Sequence, residues 1–214
     1  MYDGRTQGIK TAGPRVSAAP AVPLAVRELI ARTAEYDRST ALHSTRVVRL
    51  ARRVGSAMGL EGSKLRHIAL VALLHDVGKT AIDRRILDKP APLDEAEWTA
   101  VRRHPDEGAL MVSAMPEVAH LASAIRASHE RWDGHGYPAG LAGDAIPVAS
   151  RISFVCDSFD AMISDRPYRA AMTLPRALDT IGAEAGRQFC PAAASALLDV
   201  ASPPWRVLGP PRVA

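Results

Sequence analysis

Apolar positions recur every three or four residues through most of the chain, the period of an α-helix that packs on one side. No alternation of apolar and polar residues, the pattern of a half-buried strand, continues for more than a few positions. The spacing predicts nine helices, at 24–36, 40–59, 62–77, 94–103, 105–114, 117–129, 147–164, 174–185 and 191–200. We therefore expect an all-α protein.

Two of these helices carry ionisable residues on their apolar side. The stripe of the helix at 40–59 consists of Val47, Leu50, Val54 and Met58. His43 lies on the same stripe, one turn before its first residue. The stripe of the helix at 62–77 consists of Leu65, Ile68, Ala69 and Ala72. It continues to His75 and Asp76, so these side chains are also expected to face the interior.

Two more predicted helices add to this set. The apolar stripe at 117–129 leads to His129, and the apolar helix at 147–164 carries Asp157. A single histidine on an apolar face is usually a core residue bonded to a backbone carbonyl. Several ionisable groups in one interior need partners, and a bound cation satisfies them together. A mixed imidazole and carboxylate set suits iron, manganese or zinc, and contains too much nitrogen for calcium.

The neighbouring positions of His75 and Asp76 indicate a pair of metal ions. The imidazole can bind one ion while the carboxylate next to it bridges to the second. Two ions that share a carboxylate activate water and stabilise the oxygens of a phosphoester under attack. The pattern therefore favours phosphoester hydrolysis.

The composition and charge of the chain exclude several other classes of protein. The chain has 214 residues, of which 47% are hydrophobic and 5% aromatic, so we expect one aliphatic core. The net charge of +4 suits anionic small ligands. The chain has no dense tract of lysine and arginine that would favour nucleic-acid binding. Cys156 and Cys190 are too few for a disulfide framework. With no secretory leader and no run that spans a bilayer, we expect a cytoplasmic protein without membrane contact.

The chain divides into three parts. Residues 1–23 mix Gly, Pro, Ser and Ala without periodicity, which predicts a disordered tail. Residues 24–200 form the predicted domain, and the proline-interrupted residues 201–214 are expected to be an irregular tail. Inside the domain, residues 128–141 read SHERWDGHGYPAGL and concentrate two histidines, acidic residues and glycines in one loop. This concentration is typical of a functional site.

Several motifs in order resemble the HD-GYP family, a branch of the HD phosphohydrolases. The motifs are HDVGK at 75–79, ILDKP, HPDEGALMV, SHERWDGHGYPAGL, IPVASRISFVCDSFDAMISDRPYR and GRQFCP. The match covers about 39–200. The resemblance implies an HD-type helical bundle with a Gly-rich GYP loop between helices. It also implies hydrolysis of cyclic di-GMP to linear pGpG, or further to GMP, at a centre of two iron or manganese ions.

The resemblance also implies roles for particular residues. The implied metal ligands are His43, His75, Asp76, His104, His129 and Asp157. Asp76 and Lys79 would act in catalysis, with Lys79 beside the attacked phosphate. Arg166 and Arg169 would hold the phosphates, because guanidinium groups match phosphate oxygens. The substrate-binding part of the loop would be Gly136, Tyr137 and Pro138. Glu130 and Asp133 are expected to brace the loop, and His135 to face solvent.

Three positions depart from the family pattern. Ser39 stands where the family has a glutamate, and Ser128 where it has the first of two histidines. Both changes remove a metal ligand, and they favour an alternative function, a weakened module that senses cyclic di-GMP or binds proteins. A hydrolase for another phosphoester is a further alternative. Cys190 replaces an aspartate and is interpreted as structural. A homodimer or a signalling protein would be the partner.

Overall fold

The computed structural model describes residues 24–36, 38–165 and 170–201, and of residues 34, 36 and 38–42 the backbone alone. The predicted tails therefore lie outside the described residues, except Ala201, and the division into domain and tails stays a prediction. The α-helices are α1 (Leu24–Tyr36), α2 (Arg38–Ala57), α3 (Gly62–Leu74), α4 (Arg84–Leu87), α5 (Glu95–Val101), α6 (His104–Ser113), α7 (Ala122–Arg126), α8 (Val148–Met162), α9 (Leu174–Ala183) and α10 (Pro191–Ala201). Three 3₁₀ turns occupy Val77–Ala81, Ala119–Leu121 and Gly143–Ala145.

The all-α prediction is confirmed. Within the described residues the only strand-like pairings are two isolated bridges, Asp133 with Ala142 and Ala185 with Phe189. The core lies where α2, α3 and α8 pack together, with α10 against α2 and α8. Its buried side chains include Val47, Val54, Ile68, Val71, Ile152, Val155 and Phe159. Each such side chain stabilises the fold by about 1.5–3 kcal/mol, so this face fixes how α2 and α8 meet.

The single helix predicted at 117–129 is wrong. The chain forms a 3₁₀ turn and the five-residue α7 there, and His129 lies beyond the end of α7. Ser128 and Glu130 make turn-type bonds to the carbonyls of Ile125 and Ala127. The His129 carbonyl accepts a hydrogen bond from the Tyr137 amide, so it is not free to continue a helix. The hydrogen bonds of the loop therefore replace those of the predicted helix at its end.

The helix predicted at 62–77 ends early, at Leu74, and a 3₁₀ turn follows from Val77. The cause is the close packing of this turn against the start of α6. A Cβ atom at Gly78 would overlap the carbonyl oxygen of His104 and approach the amide of Gly108. Gly78 therefore lets the segment after Asp76 come into direct backbone contact with α6.

We predict that Gly78→Ala destabilises the protein at the upper end of the ~1–3 kcal/mol typical of overpacking, because the atom it meets is backbone. Gly182→Ala is the matched control, since its Cβ would make only an ordinary contact with Leu198. Helix propensity makes that control neutral or stabilising by roughly 0.5–1 kcal/mol. Urea unfolding midpoints of both variants measure the difference. Equal midpoints would contradict the close packing at Gly78.

Candidate metal centre

Six predicted side chains meet in the interior, although they come from five separate parts of the chain. His43 is on α2, His75 and Asp76 follow α3, His104 begins α6, His129 follows α7 and Asp157 is on α8. Their ligand atoms form two groups, His43 with His75 and Asp157, and Asp76 with His104 and His129. Within each group these atoms lie within 4.8 Å of one another. The fold thus brings together the whole predicted ligand set.

Asp76 lies between the two groups. Its Oδ2 is 3.4 Å from His75 Nε2, while its Oδ1 is 3.4 Å from His104 Nε2 and 3.8 Å from His129 Nε2. The side chain is only 4% exposed, and Oδ1 has no hydrogen-bond partner among the described residues. One oxygen therefore faces each group, the arrangement that a bridging carboxylate requires.

Two histidines are held by backbone carbonyls. His75 Nδ1 is 2.9 Å from the Ala72 oxygen, and His104 Nδ1 is 2.8 Å from the Val101 oxygen. A carbonyl only accepts, so each Nδ1 carries a hydrogen, and in the neutral ring the lone pair is on Nε2. His104 Nε2 lies 2.9 Å from His129 Nε2, at hydrogen-bond distance. His75 Nε2 is buried without a hydrogen-bond partner in the described part of the chain. Histidines that bind metals are held in this way, so the orphaned atoms fit a divalent cation.

The two remaining histidines differ in their charge. His43 Nε2 lies 2.9 Å from Asp157 Oδ1, and its Nδ1 lies 2.7 Å from Asp160 Oδ2. Burial alone would lower the pKa of His43, but these carboxylates raise it to about 9. Burial lowers the pKa of His129 to about 4, despite the nearby Asp76. His129 is therefore a neutral imidazole, the form that binds a cation.

Both carboxylates of the centre are ionised. Burial would raise the pKa of Asp76, but His75 and Lys79 hold it well below its usual range. Burial likewise opposes ionisation of Asp157, and its hydrogen bond with His43 lowers the pKa instead. Lys79, in the turn after Asp76, donates from Nζ to Asp76 Oδ2 at 2.6 Å and is 30% exposed. A cationic group therefore lies beside the carboxylate that joins the two groups.

The glycine-rich loop is fixed next to the centre by a buried acid. The Glu130 carboxylate accepts hydrogen bonds from the amides of Ala139 and Leu141, at 2.7 and 3.1 Å. A Cβ at Gly136 would overlap the backbone of Glu130 and Arg131, so this glycine permits the loop to fold back. The bracing role predicted for Glu130 is confirmed.

Tyr137 connects this loop to the centre. Its ring stacks on His129, with the planes at 1° and the centroids 5.3 Å apart, and a cis peptide bond joins it to Pro138. Arg102 Cζ lies 6.0 Å from the centroid of the tyrosine ring. Burial and the charges of Asp76 and Asp157 raise the pKa of the hydroxyl, so Tyr137 remains a neutral donor.

Other predicted residues have different outcomes. Arg166, Arg169 and the side chain of Ser39 lie outside the described residues. Ser128 is buried, and its hydroxyl has no hydrogen-bond partner in the described ranges. Cys190 is buried in the hydrophobic core, in agreement with a structural role. Asp133 braces the loop, because it accepts from Arg131 and from the amide of His135, whose side chain is exposed.

Sequence reasoning missed Asp160 and its partner Arg46. Arg46 donates from Nε and Nη2 to the Asp160 carboxylate at 2.6 and 2.8 Å. Burial would raise the pKa of Asp160, but the hydrogen bonds from His43 and Arg46 lower it. A signal existed in the sequence, since Asp160 follows Asp157 by three positions and so lies on the same helix face.

A family model described as HD domain matches residues 25–192. The chain belongs to the HD domain family. The predicted resemblance is thereby confirmed, and all six side chains described above lie within the matched residues. Among the helices that the structure describes, none has both the length and the apolar character needed to cross a bilayer.

Relatives of this HD domain include named phosphodiesterases. It is 41% identical over 172 residues to the cyclic di-GMP phosphodiesterase response regulator RpfG of Xanthomonas campestris pv. campestris, covering 79% of this chain and 46% of that protein. It is 40% identical over 139 residues to 3'3'-cGAMP-specific phosphodiesterase 3 of Vibrio cholerae, covering 65% of this chain and 30% of that protein. The chain thus spans less than half the length of each of these relatives.

A solved structure has the same fold. The HDG"Y"P protein Bd1817 of Bdellovibrio bacteriovorus superposes with a TM-score of 0.61 at 16% identity. The superposition covers 82% of this chain and 59% of that one. At this identity the likeness supports the fold alone, and it agrees with the helical architecture described above.

We predict that His129→Ala lowers the bound metal to about one ion per chain after loading with manganese, because the Asp76 group loses a ligand. Ligand loss should exceed the ~10–100-fold cost of disturbing groups around a metal. His135→Ala is the matched control, since His135 is an exposed histidine of the same loop. Elemental analysis after desalting measures both. Equal metal content in the two variants would exclude His129 as a ligand.

Proposed function

We propose that the protein is a metal-dependent phosphodiesterase that opens cyclic di-GMP to linear pGpG, or further to GMP, and so lowers the level of this second messenger. The observation that carries the proposal is the position of Asp76, with one oxygen toward each group of ligand atoms. The names of the two relatives, both cyclic dinucleotide phosphodiesterases, support the substrate class. A cytoplasmic location, and a homodimer or a signalling partner, stay predictions from the sequence.

Two iron or manganese ions are the proposed cofactors. His43, His75 and Asp157 would hold one ion, His104 and His129 the other, and Asp76 would bridge them. The orphaned His75 Nε2 and Asp76 Oδ1 support this assignment, since both atoms are buried without a hydrogen-bond partner in the described residues. When bound, such ions supply Lewis-acid activation of water and of phosphate oxygens.

The protein's own residues orient the substrate and balance its charge. Lys79, partly exposed next to Asp76, would stabilise negative charge on the attacked phosphate or assist the leaving group. The neutral hydroxyl of Tyr137 can donate a hydrogen bond to the substrate, and Arg102 adds a positive charge at its ring. Tyr137 and its two neighbours, Gly136 and Pro138, form the proposed substrate-binding segment. Arg166 and Arg169 would hold the phosphates.

The alternative is a module that binds the dinucleotide without hydrolysing it. Ser128 favours this alternative, because its buried hydroxyl is a poor ligand for a transition metal. The six gathered side chains favour the enzyme, because they suffice for two ions that share Asp76. Incubating the manganese- or iron-loaded protein with cyclic di-GMP, and in parallel with 3'3'-cGAMP, decides between the two functions. Chromatography of the products identifies both activity and substrate.

We predict that Asp76→Ala abolishes hydrolysis of cyclic di-GMP while the far-UV circular dichroism stays helical, because both ions lose a ligand. The loss should exceed the ~10–100-fold that follows from disturbing groups around a metal. Asp179→Ala, at an exposed aspartate on α9, is the control and should keep parental turnover. Turnover by Asp76→Ala comparable to that of the control would contradict the bridging role.

We predict that Arg166→Ala and Arg169→Ala weaken cyclic di-GMP binding without releasing metal. A hydrogen bond to a charged phosphate contributes about 1.5–3 kcal/mol, which corresponds to roughly 10–150-fold in affinity. Isothermal titration with metal-loaded protein measures the affinity, and elemental analysis checks the metal. Arg176→Ala, an exposed arginine on α9, controls for the general loss of positive charge. Parental affinity in both variants would assign the two arginines a structural role.

A further inference from the structure

A buried carboxylate joins α2 and α8 directly behind the metal centre. Asp160 is on α8, three residues after Asp157, and its side chain is only 6% exposed. His43 and Arg46, three residues apart on α2, both contact it. His43 Nδ1 is 2.7 Å from Asp160 Oδ2, and Arg46 donates to both carboxylate oxygens at 2.6 and 2.8 Å. The three side chains thus form one hydrogen-bonded unit across the helix interface.

This unit determines the orientation of the His43 imidazole. A carboxylate accepts hydrogen bonds, so Nδ1 of His43 carries a hydrogen toward Asp160. The opposite nitrogen, Nε2, lies 2.9 Å from Asp157 Oδ1 on the side of the ligand group, so it also carries a hydrogen, which a bound ion would displace. The other candidate histidines held in this way, His75 and His104, use backbone carbonyls instead. Among these three histidines, only His43 is oriented by a side chain, so a single substitution can remove the group that orients it.

Arg46 fixes the carboxylate in turn. Its guanidinium binds both oxygens of Asp160, and Nη2 also donates to Ser164 Oγ at 3.2 Å. Two parallel bonds leave a carboxylate little freedom to rotate. The Arg46 side chain is 45% exposed, so water can solvate its charge if the carboxylate is removed. Removal of Asp160 would therefore leave the charge of Arg46 solvated.

We propose that Asp160, held by Arg46, is a positioning residue that orients His43 and thereby sets the affinity of the metal ion bound by His43, His75 and Asp157. The inference rests on the proposed function, because it assumes that this group holds an ion. The second group, Asp76 with His104 and His129, has no contact with Asp160 or Arg46 among the described interactions. The effect of the unit is therefore confined to one of the two ions.

The experiment compares Asp160→Ala and Asp160→Asn with the parent protein, all loaded with manganese. The asparagine can still accept from His43 but loses the charge and one acceptor for Arg46. Competition with a chelator measures both ions. We expect one ion to bind about 10–100-fold more weakly in Asp160→Ala, less so in Asp160→Asn, and the other ion to keep its parental affinity. Electron paramagnetic resonance should show a coupled manganese pair replaced by a single ion.

The matched control is Asp88→Asn, which breaks an exposed aspartate–arginine pair with Arg84 on α4. It should keep both ions at parental affinity. Arg46→Ala should weaken the same ion as the Asp160 variants, to a smaller extent, because the carboxylate remains. Excess manganese should restore kcat in Asp160→Asn with the KM for cyclic di-GMP unchanged. A merely structural role of Asp160 would not produce this selective loss and rescue.

The possible failures are separable. A parent protein that binds no manganese would overturn the proposed function and this inference with it. A parent with two ions, and an Asp160→Ala variant that keeps both at the same affinity, would overturn the inference alone. Equal weakening of both ions in a helical variant would also overturn it. If Asp160→Ala does not fold, the same criteria apply to Asp160→Asn and Arg46→Ala.

Discussion

The structure depends on the burial of several imidazole and carboxylate groups inside a bundle of aliphatic helices. Ionised groups lose their hydration there, and they are stable only when other charges or hydrogen bonds replace water. Three of the imidazoles have such a partner on their outer side: carbonyls for His75 and His104, Asp160 for His43. The inner sides face one another. The bundle therefore holds these side chains at fixed distances, and the remaining polar atoms are those that a cation would satisfy.

The same constraint explains the shape of the chain around the centre. α3 ends at Leu74, so that His75 and Asp76 leave the helix and face two different groups of ligand atoms. Gly78 then permits the backbone to touch α6, which starts with His104. On the opposite side, Glu130 fixes the loop directly after His129. The irregular segments, more than the helices, determine the final geometry.

The sequence predicted what periodicity and motif order can encode. The stripes that end at His43 and His75 identified the buried faces, because helical spacing converts directly into position on a cylinder. Periodicity could not show that the loop displaces the helix before His129, since that outcome depends on a hydrogen bond from Tyr137, eight residues away. Nor could it show Asp160 bound to Arg46, because these residues belong to two helices far apart in the chain. Long-range contacts of polar side chains leave no periodic signal.

The distribution of the ligand atoms along the chain has a consequence for folding. His43 and Asp160, which meet at the centre, are 117 positions apart in sequence. Bringing such distant segments together costs loop-closure entropy, and this entropy is lost before the contacts can stabilise the chain. An ion that bound only the assembled centre would act as a reversible cross-link between the segments that hold its ligands. By mass action, the ion would favour the folded chain over the unfolded one increasingly as its free concentration rises. The stability of the protein would then depend on the metal available to it.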